Sequence, residues 1–201
     1  LFITVVGTVG QIVCCSLCSY ALALFKFPGN RFITKMIELA LMFNATVLTI
    51  PTYMVISNLG LIDTYWALIL PGMFTAFGTF MLRQFFMSIP DELSESAKID
   101  GASHFTIFSR IIMPLAVPAF SALIIFQFVS SWKEYESALV YIRSKELATI
   151  PLGLNFFKDE NASSYGAIMA ASVCSLIPIF IVFLIFQKQF VAGIATSGMK
   201  E

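Results

Sequence analysis

Residues Leu1–Phe25 read LFITVVGTVGQIVCCSLCSYALALF, a run without a single Asp, Glu, Lys, Arg or His. A helix rises about 1.5 Å per residue, so roughly 20 apolar residues cross the ~30 Å hydrocarbon core of a bilayer. This run meets that length. Four more charge-free runs follow, at Leu39–Ile62, Thr64–Leu82, Ile111–Trp132 and Asn161–Gln187. Together they predict an all-α, polytopic transmembrane bundle in a single domain over residues 1–201, with spans near 1–25, 39–62, 64–82, 111–132 and 165–187. The first run lacks the basic n-region of a signal peptide and exceeds a typical apolar h-region. The chain opens inside it, at Leu1, so one further span is expected upstream.

Composition agrees. Of 201 residues, 58% are hydrophobic and 12% charged, against about 25% charged in ordinary soluble domains. A chain this poor in polar groups cannot cover a water-facing exterior, and a mean hydropathy of +0.87 excludes disorder. Twelve Lys and Arg balance twelve Asp and Glu, so nothing points to nucleic acid. The four cysteines, Cys14, Cys15, Cys18 and Cys174, all lie in apolar runs without His, Asp or Glu beside them. They read as small packing residues rather than as a metal or redox site, and no metal or cofactor is expected.

Orientation follows from basic residues in the connections. One face collects Lys26, Arg31, Lys35, Arg83, Lys98, Arg110, Lys188 and Lys200; the other has Lys133, Arg143, Lys145 and Lys158. The bias places the loop 83–110 in the cytoplasm, and the turn at Asp63 and the loop 133–164 outside. Prolines interrupt four spans, at Pro51, Pro71, Pro114 with Pro118, and Pro178, and predict kinks. No Asp, Glu, Lys, Arg or His lies within a span. Carriers driven by protons or sodium usually keep one near the midplane, so the energy for any transport is expected from outside this chain. Gln11, Asn44 and Gln127 are the strongest polar groups at membrane depth. Each either bonds a neighbouring helix or lines a polar path, and Asn44 and Gln127 are the candidates for a translocation path.

The loop 83–110 has the most organised chemistry. Ser88-Ile89-Pro90-Asp91 looks like a helix start, with Ser88 as cap, Pro90 preset for the first turn, and Asp91 and Glu92 complementing the dipole. The helix then runs through Leu93, Glu95, Ala97 and Lys98, with Leu93 and Ala97 on one face. Gly101 suits a left-handed stop, and Ser103 a second cap. A short acidic helix projecting from a bundle suits docking into a basic groove of a partner. The alternative is an ordinary solvated loop.

Glu95-Ser96-Ala97, then Gly101, then Ile111-Ile112-Met113-Pro114, resembles the EAA loop of binding-protein-dependent ABC importer permeases. That signature is Glu-Ala-Ala, three residues, Gly, nine residues, then Ile-x-Leu-Pro. Ser96 and Met113 are mild departures. Asp100-Gly101-Ala102 is especially similar to the carbohydrate, maltose-type branch. Further likeness is carried by Phe85-Phe86, Phe128–Trp132, Thr149–Leu154, Phe190–Gly193 and Gly198–Lys200, so it covers nearly the whole chain. Lys133 departs from the Asn common in sugar permeases.

The resemblance implies a type I permease fold with six spans, of which those present are the second to sixth. It implies a permease that is not itself an enzyme, in the cytoplasmic membrane. Its partners would be a second homologous permease, ATP-binding subunits and an extracytoplasmic sugar-binding protein, toward which part of Tyr135–Tyr165 reaches. Glu95, Ala97, Asp100, Gly101, Ala102 and Pro114 would couple it to the ATPase. The chain has no G-x-x-x-x-G-K-[ST] loop of its own. Three rivals remain: a permease of another importer branch (amino acid, peptide or polyol), an ATP-independent carrier, and an embedded enzyme. The last is weakened because the sole histidine, His104, has no triad partner nearby in sequence.

Overall fold

The computed structural model describes residues 1–155 and 165–197. Lys158, with the rest of 156–164, and Gly198–Lys200 lie outside the described residues. The described chain is all helical, without a strand.

Helix α1, Phe2–Leu24, is the centre of the bundle and packs against three other helices. Its buried stripe is Thr4, Thr8, Gln11, Cys15, Ser19 and Leu22, while Val5, Val9, Val13 and Leu17 are exposed at spacings of four. A helix that hides small and polar groups and shows valine outward is arranged for lipid, where close approach and hydrogen bonds drive association. After α2 (Asn30–Ala40) and α3 (Ala45–Asn58) come α4 (Trp66–Met73) and α5 (Ala76–Met87), both packed on α1.

The α1–α5 contact is a polar seam. Gln11 Nε2 donates to Thr75 Oγ1 at 2.6 Å, Cys15 Sγ approaches Thr75 O at 3.7 Å, and Ser19 Oγ donates to Thr79 O at 2.8 Å. Gln11 therefore ties two helices together. Gly78 makes the approach possible: a Cβ there would meet Thr75 Oγ1 at 3.0 Å and both Cys15 Sγ and Gln11 Nε2 at 3.1 Å.

The expected spans are modified in four places. The run 39–62 is not one helix. It breaks at residues 41–44, because Asn44 turns its side chain to accept Thr46 N–H at 3.0 Å and so starts α3 afresh. At 14 residues α3 alone is short of a span. The run 64–82 breaks at Phe74–Thr75, where Thr75 caps α5 by accepting Gly78 N–H, and continues past Arg83 to Met87. The run 111–132 begins earlier, at α7 (His104–Ile107). It passes through a π-helical turn (Phe108–Ile112) and α8 (Met113–Leu115), then bends by 75° into α9 (Val117–Lys133). Pro114 and Pro118 each remove a ladder donor there, and Ala116 sits at the corner with φ −89° and ψ 7°.

After α10 (Glu136–Tyr141) and α11 (Ile150–Asn155), α12 (Tyr165–Ser197) runs unbroken through Pro178, beyond the expected end at 187. It packs on α9, where Trp132 Nε1 donates to Ser175 O at 2.9 Å. Among the described residues, Phe2–Leu24, Trp66–Met87 and Ile168–Gln189 are long and apolar enough to cross a membrane, and the bent pair His104–Leu115 with Val117–Lys133 would make a fourth. The largest core cluster joins α1, α5 and the bent segment through Cys15, Tyr20, Leu82, Phe86, Ile107, Phe108 and Phe120.

Gly78→Val places branched carbon in the α1–α5 seam and should cost about 1–3 kcal/mol by overpacking. Thermal unfolding in detergent reads this as a lowered midpoint. An unchanged midpoint would show that the seam has slack.

Candidate functional site

The connection after α5 is stopped by Ser88, whose Oγ donates to Phe85 O at 2.7 Å. Ser88 thus closes α5 rather than opening the next helix, which has no side-chain cap bond; a hydroxyl can serve either end. Pro90 is the N-cap of α6, Asp91–Ile99, with Asp91 and Glu92 in its first turn. The inward face is Ser94, 6% exposed, with Ala97 beside it, whereas Leu93 is turned outward. The amphipathic pairing expected of Leu93 and Ala97 is therefore off by one position. The small residue goes in because α6 lies close to the bundle.

The end of α6 is a Schellman motif. Gly101, at φ 80°, donates its N–H to Lys98 O at 3.0 Å, and Ala102 N–H reaches back to Ala97 O at 2.9 Å. Ala97 and Ala102 both pack on the main core cluster. Ser103 then caps α7 by accepting Thr106 N–H at 3.2 Å. Tyr20 Oη donates to His104 O at 3.1 Å, and the Phe25 and His104 rings meet edge-to-face at 4.8 Å. The loop is fastened to the foot of α1.

Glu95, Lys98, Asp100 and Gly101 stay exposed, flanked by Ile99 at 86% and Phe105 at 73% exposure. The structure therefore brings five of the six expected coupling residues into α6 and its cap, with Ala97 and Ala102 as anchors and Glu95, Asp100 and Gly101 outward. Pro114 is apart from them, at the 75° bend. Ile99 and Phe105 escaped the sequence reading, although both are large apolar residues set among polar neighbours.

A second site lies near the other end of α9. A cavity of about 260 Å³ is lined in part by Thr75, Gln127, Ser130, Glu134, Ser137 and Thr149. It opens beside the Phe74–Thr75 break, and non-helical backbone at membrane depth belongs where it is buried in protein or lines a cavity. Gln127 Nε2 faces Gly72, where a Cβ would lie 3.4 Å away, and Thr149 Oγ1 is buried without a hydrogen-bond partner among the described residues. Asn44 is not among the cavity's lining residues; it is exposed at the start of α3.

Tyr141, which also lines the cavity, is bonded to Asp63, and Asp63 forms a clamp. Its own backbone is left-handed at φ 61°, and its N–H donates to Tyr141 O at 2.9 Å. Its carboxylate accepts the N–H groups of Arg143 and Ser144, each at 2.9 Å, and the Ser144 hydroxyl. These bonds, the hydroxyl foremost, then the two N–H groups, hold the Asp63 carboxyl below the usual carboxylate range.

Residues 16–196 match the family of binding-protein-dependent transport system inner membrane components. The chain belongs to that family. The match takes in the α6 loop, the bend and α12. Relatives of this inner membrane component include the arabinooligosaccharides transport system permease protein AraQ of Bacillus subtilis (strain 168). It is 36% identical over 185 residues, which are 92% of this chain and 66% of AraQ. The sn-glycerol-3-phosphate transport system permease protein UgpE of Escherichia coli (strain UTI89 / UPEC) is 37% identical over 192 residues, 94% of this chain and 68% of UgpE. A bacterial ABC transporter involved in the import of the acidic polysaccharide alginate contains a chain of the same fold. Its TM-score is 0.79 at 31% identity, over 94% of this chain and 72% of that one. The present chain thus spans about two thirds of the length of the curated relatives it matches.

Because the folded pKa of Asp63 is depressed, its clamp stabilises fully above the unfolded carboxylate value, about 3.9, and that stabilisation is lost as pH falls through the lower folded value. Protection of the Ser144 amide in hydrogen exchange should therefore persist at neutral pH and fall in strong acid. Asp63→Asn should flatten that dependence. A pH-independent Ser144 amide in the unaltered protein would refute the clamp.

Proposed function

We propose that this inner membrane component is a membrane-spanning permease subunit of an ATP-driven importer for a sugar or oligosaccharide. In this reading it pairs with a second homologous permease, two ATP-binding subunits drive the pair, and an extracytoplasmic binding protein delivers the sugar. The observation that carries the reading is α6: a short helix locked at its C-terminal end, presenting Glu95, Asp100, Ile99 and Phe105 to whatever lies beyond the bundle. A surface that joins charge to exposed apolar groups suits a partner better than water. Carbohydrate as the substrate class is supported by the relatives, which are named for arabinooligosaccharides and sn-glycerol-3-phosphate, and by the alginate importer.

The mechanism follows from stiffness. When the ATP-binding subunits close, each drags the α6 docked in it. The Schellman bonds and the Tyr20–His104 contact make α6 move with the foot of α1 and with α7, not as a loose loop. The displacement enters the bundle below the bend at Ala116 and opens it alternately inward and outward. Gln127, in the cavity by the α4–α5 break, is our candidate for the translocation path; Asn44, exposed and engaged in capping, is the weaker one.

The coupling assignment is tested at Glu95 and Gly101. Truncating one member of a desolvated charge pair costs ~2–5 kcal/mol, so Glu95→Ala should weaken retention of the ATP-binding subunit. Gly101→Pro should be worse, because it locks φ near −65° and removes the N–H that bonds Lys98 O. ATPase co-purification and sugar uptake are measured at equal membrane abundance. Normal values in both variants would reduce α6 to a connection.

Orientation is tested by labelling. With the native cysteines replaced, Ser96→Cys should resist an impermeant maleimide in intact cells while Glu146→Cys reacts. Both positions are exposed, so the reverse pattern inverts the topology.

A further inference from the structure

Helix α2 carries two opposite faces. Asn30, Arg31, Thr34, Lys35 and Glu38 share one, and Phe32, Ile33, Met36 and Leu39 share the other. The polar face turns toward α5 and lines an open groove of about 650 Å³ with Lys26, Phe27 and Arg83. The apolar face is exposed, Phe32 most of all at 69%. In water this arrangement would be inverted. At a bilayer surface it is what an interfacial helix requires.

The groove is strongly basic. Lys26, Arg31, Lys35 and Arg83 face one carboxylate, Glu38, which leaves a net charge of +3. Arg83 Nε is buried and has no hydrogen-bond partner among the described residues. A guanidinium donor withdrawn from water costs free energy until an acceptor meets it. The groove is also braced: Asn30 Nδ2 donates to Leu22 O at 3.1 Å and Phe25 O at 2.7 Å, pinning α2 to the end of α1. A fixed, concave, cationic surface focuses attraction on an anion.

We infer that this groove holds the phosphodiester headgroup of an anionic phospholipid, with its acyl chains against Phe32 and Leu39, which border Lys35 at the edge of the exposed apolar face. Charge selects the headgroup, and Arg83 offers forked donors to phosphate oxygens. The adjoining apolar face selects a lipid over a soluble anion. The leaflet involved rests on the orientation proposed above, since basic connections face the anionic cytoplasmic leaflet. Occupancy itself does not depend on it.

The test uses the transporter purified from membranes through a tag on this chain, titrated with phosphatidylglycerol or phosphatidylcholine and read by native mass spectrometry. Phosphatidylglycerol should be retained in preference. The double variant Lys35→Gln with Arg83→Gln should weaken its binding by about tenfold or more, with phosphatidylcholine unchanged. Lys133→Gln, outside the groove, should have no effect. Millimolar inorganic phosphate should not displace the lipid. Equal retention of the two lipids, or an unaffected double variant, overturns the proposal. Displacement by free phosphate assigns a simple anion site instead. Loss of a co-purifying subunit with lipid retention intact makes the groove a protein interface. An inverted maleimide pattern with selective lipid retention would overturn the orientation alone.

Discussion

Thr75 holds the bundle together. Its hydroxyl accepts from Gln11 and from the N–H of Gly78, and its carbonyl receives Cys15 Sγ, Thr79 N–H and Thr79 Oγ1. In hydrocarbon there is little hydrophobic drive to press one helix on another, so such bonds and close backbone approach must do it. They fix where α5 lies on α1. Leu82 and Phe86, further along α5, then form the core against which Ile107, Phe108 and Phe120 pack. The position of the α6 loop therefore descends from one residue at a helix break.

That dependence explains why α6 can be short. Nine residues are too few for a stable helix in water. Here the C-terminal end is closed by backbone bonds, and the inner face needs only Ser94 and Ala97 to fit. Larger residues on that face would lift the helix from the bundle and weaken the tie to α1. Small inside, acidic and apolar outside: the helix is shaped by the bundle it rests on and by the partner it is proposed to meet.

Much of this was legible in the chain. The Pro90, Asp91, Glu92 and Gly101 pattern predicts α6 and its left-handed end, and Ser103 predicts the second cap, because these are local chemistries. Counting uncharged residues found the apolar helices but misjudged their limits. Arg83 and Arg110 lie inside helical structure, because one long basic side chain does not end a helix: Arg110 is exposed, and Arg83 turns into the groove beside α2. The break before α3 was hidden because one asparagine changes nothing in an apolar average yet supplies a cap. Asp63 could not be found from its neighbours, as its partners are 80 and 81 residues away. The cavity beside Gln127 was only half visible, for Thr149 reaches it from a separate segment.

The bend at Ala116 has a mechanical consequence. Pro114 and Pro118 lack the donors that would otherwise bond the carbonyls one turn before them. Opening or closing the angle there cannot break those bonds, because they are absent at every angle. Elsewhere in the bundle a comparable rotation would strip hydrogen bonds from backbone in a medium that offers no replacement. The corner thus has fewer backbone bonds to lose on bending than an uninterrupted helix, those of Ala116 to Ile112 and Phe120 being among the ones that remain. A displacement at one end becomes a change of direction at the other.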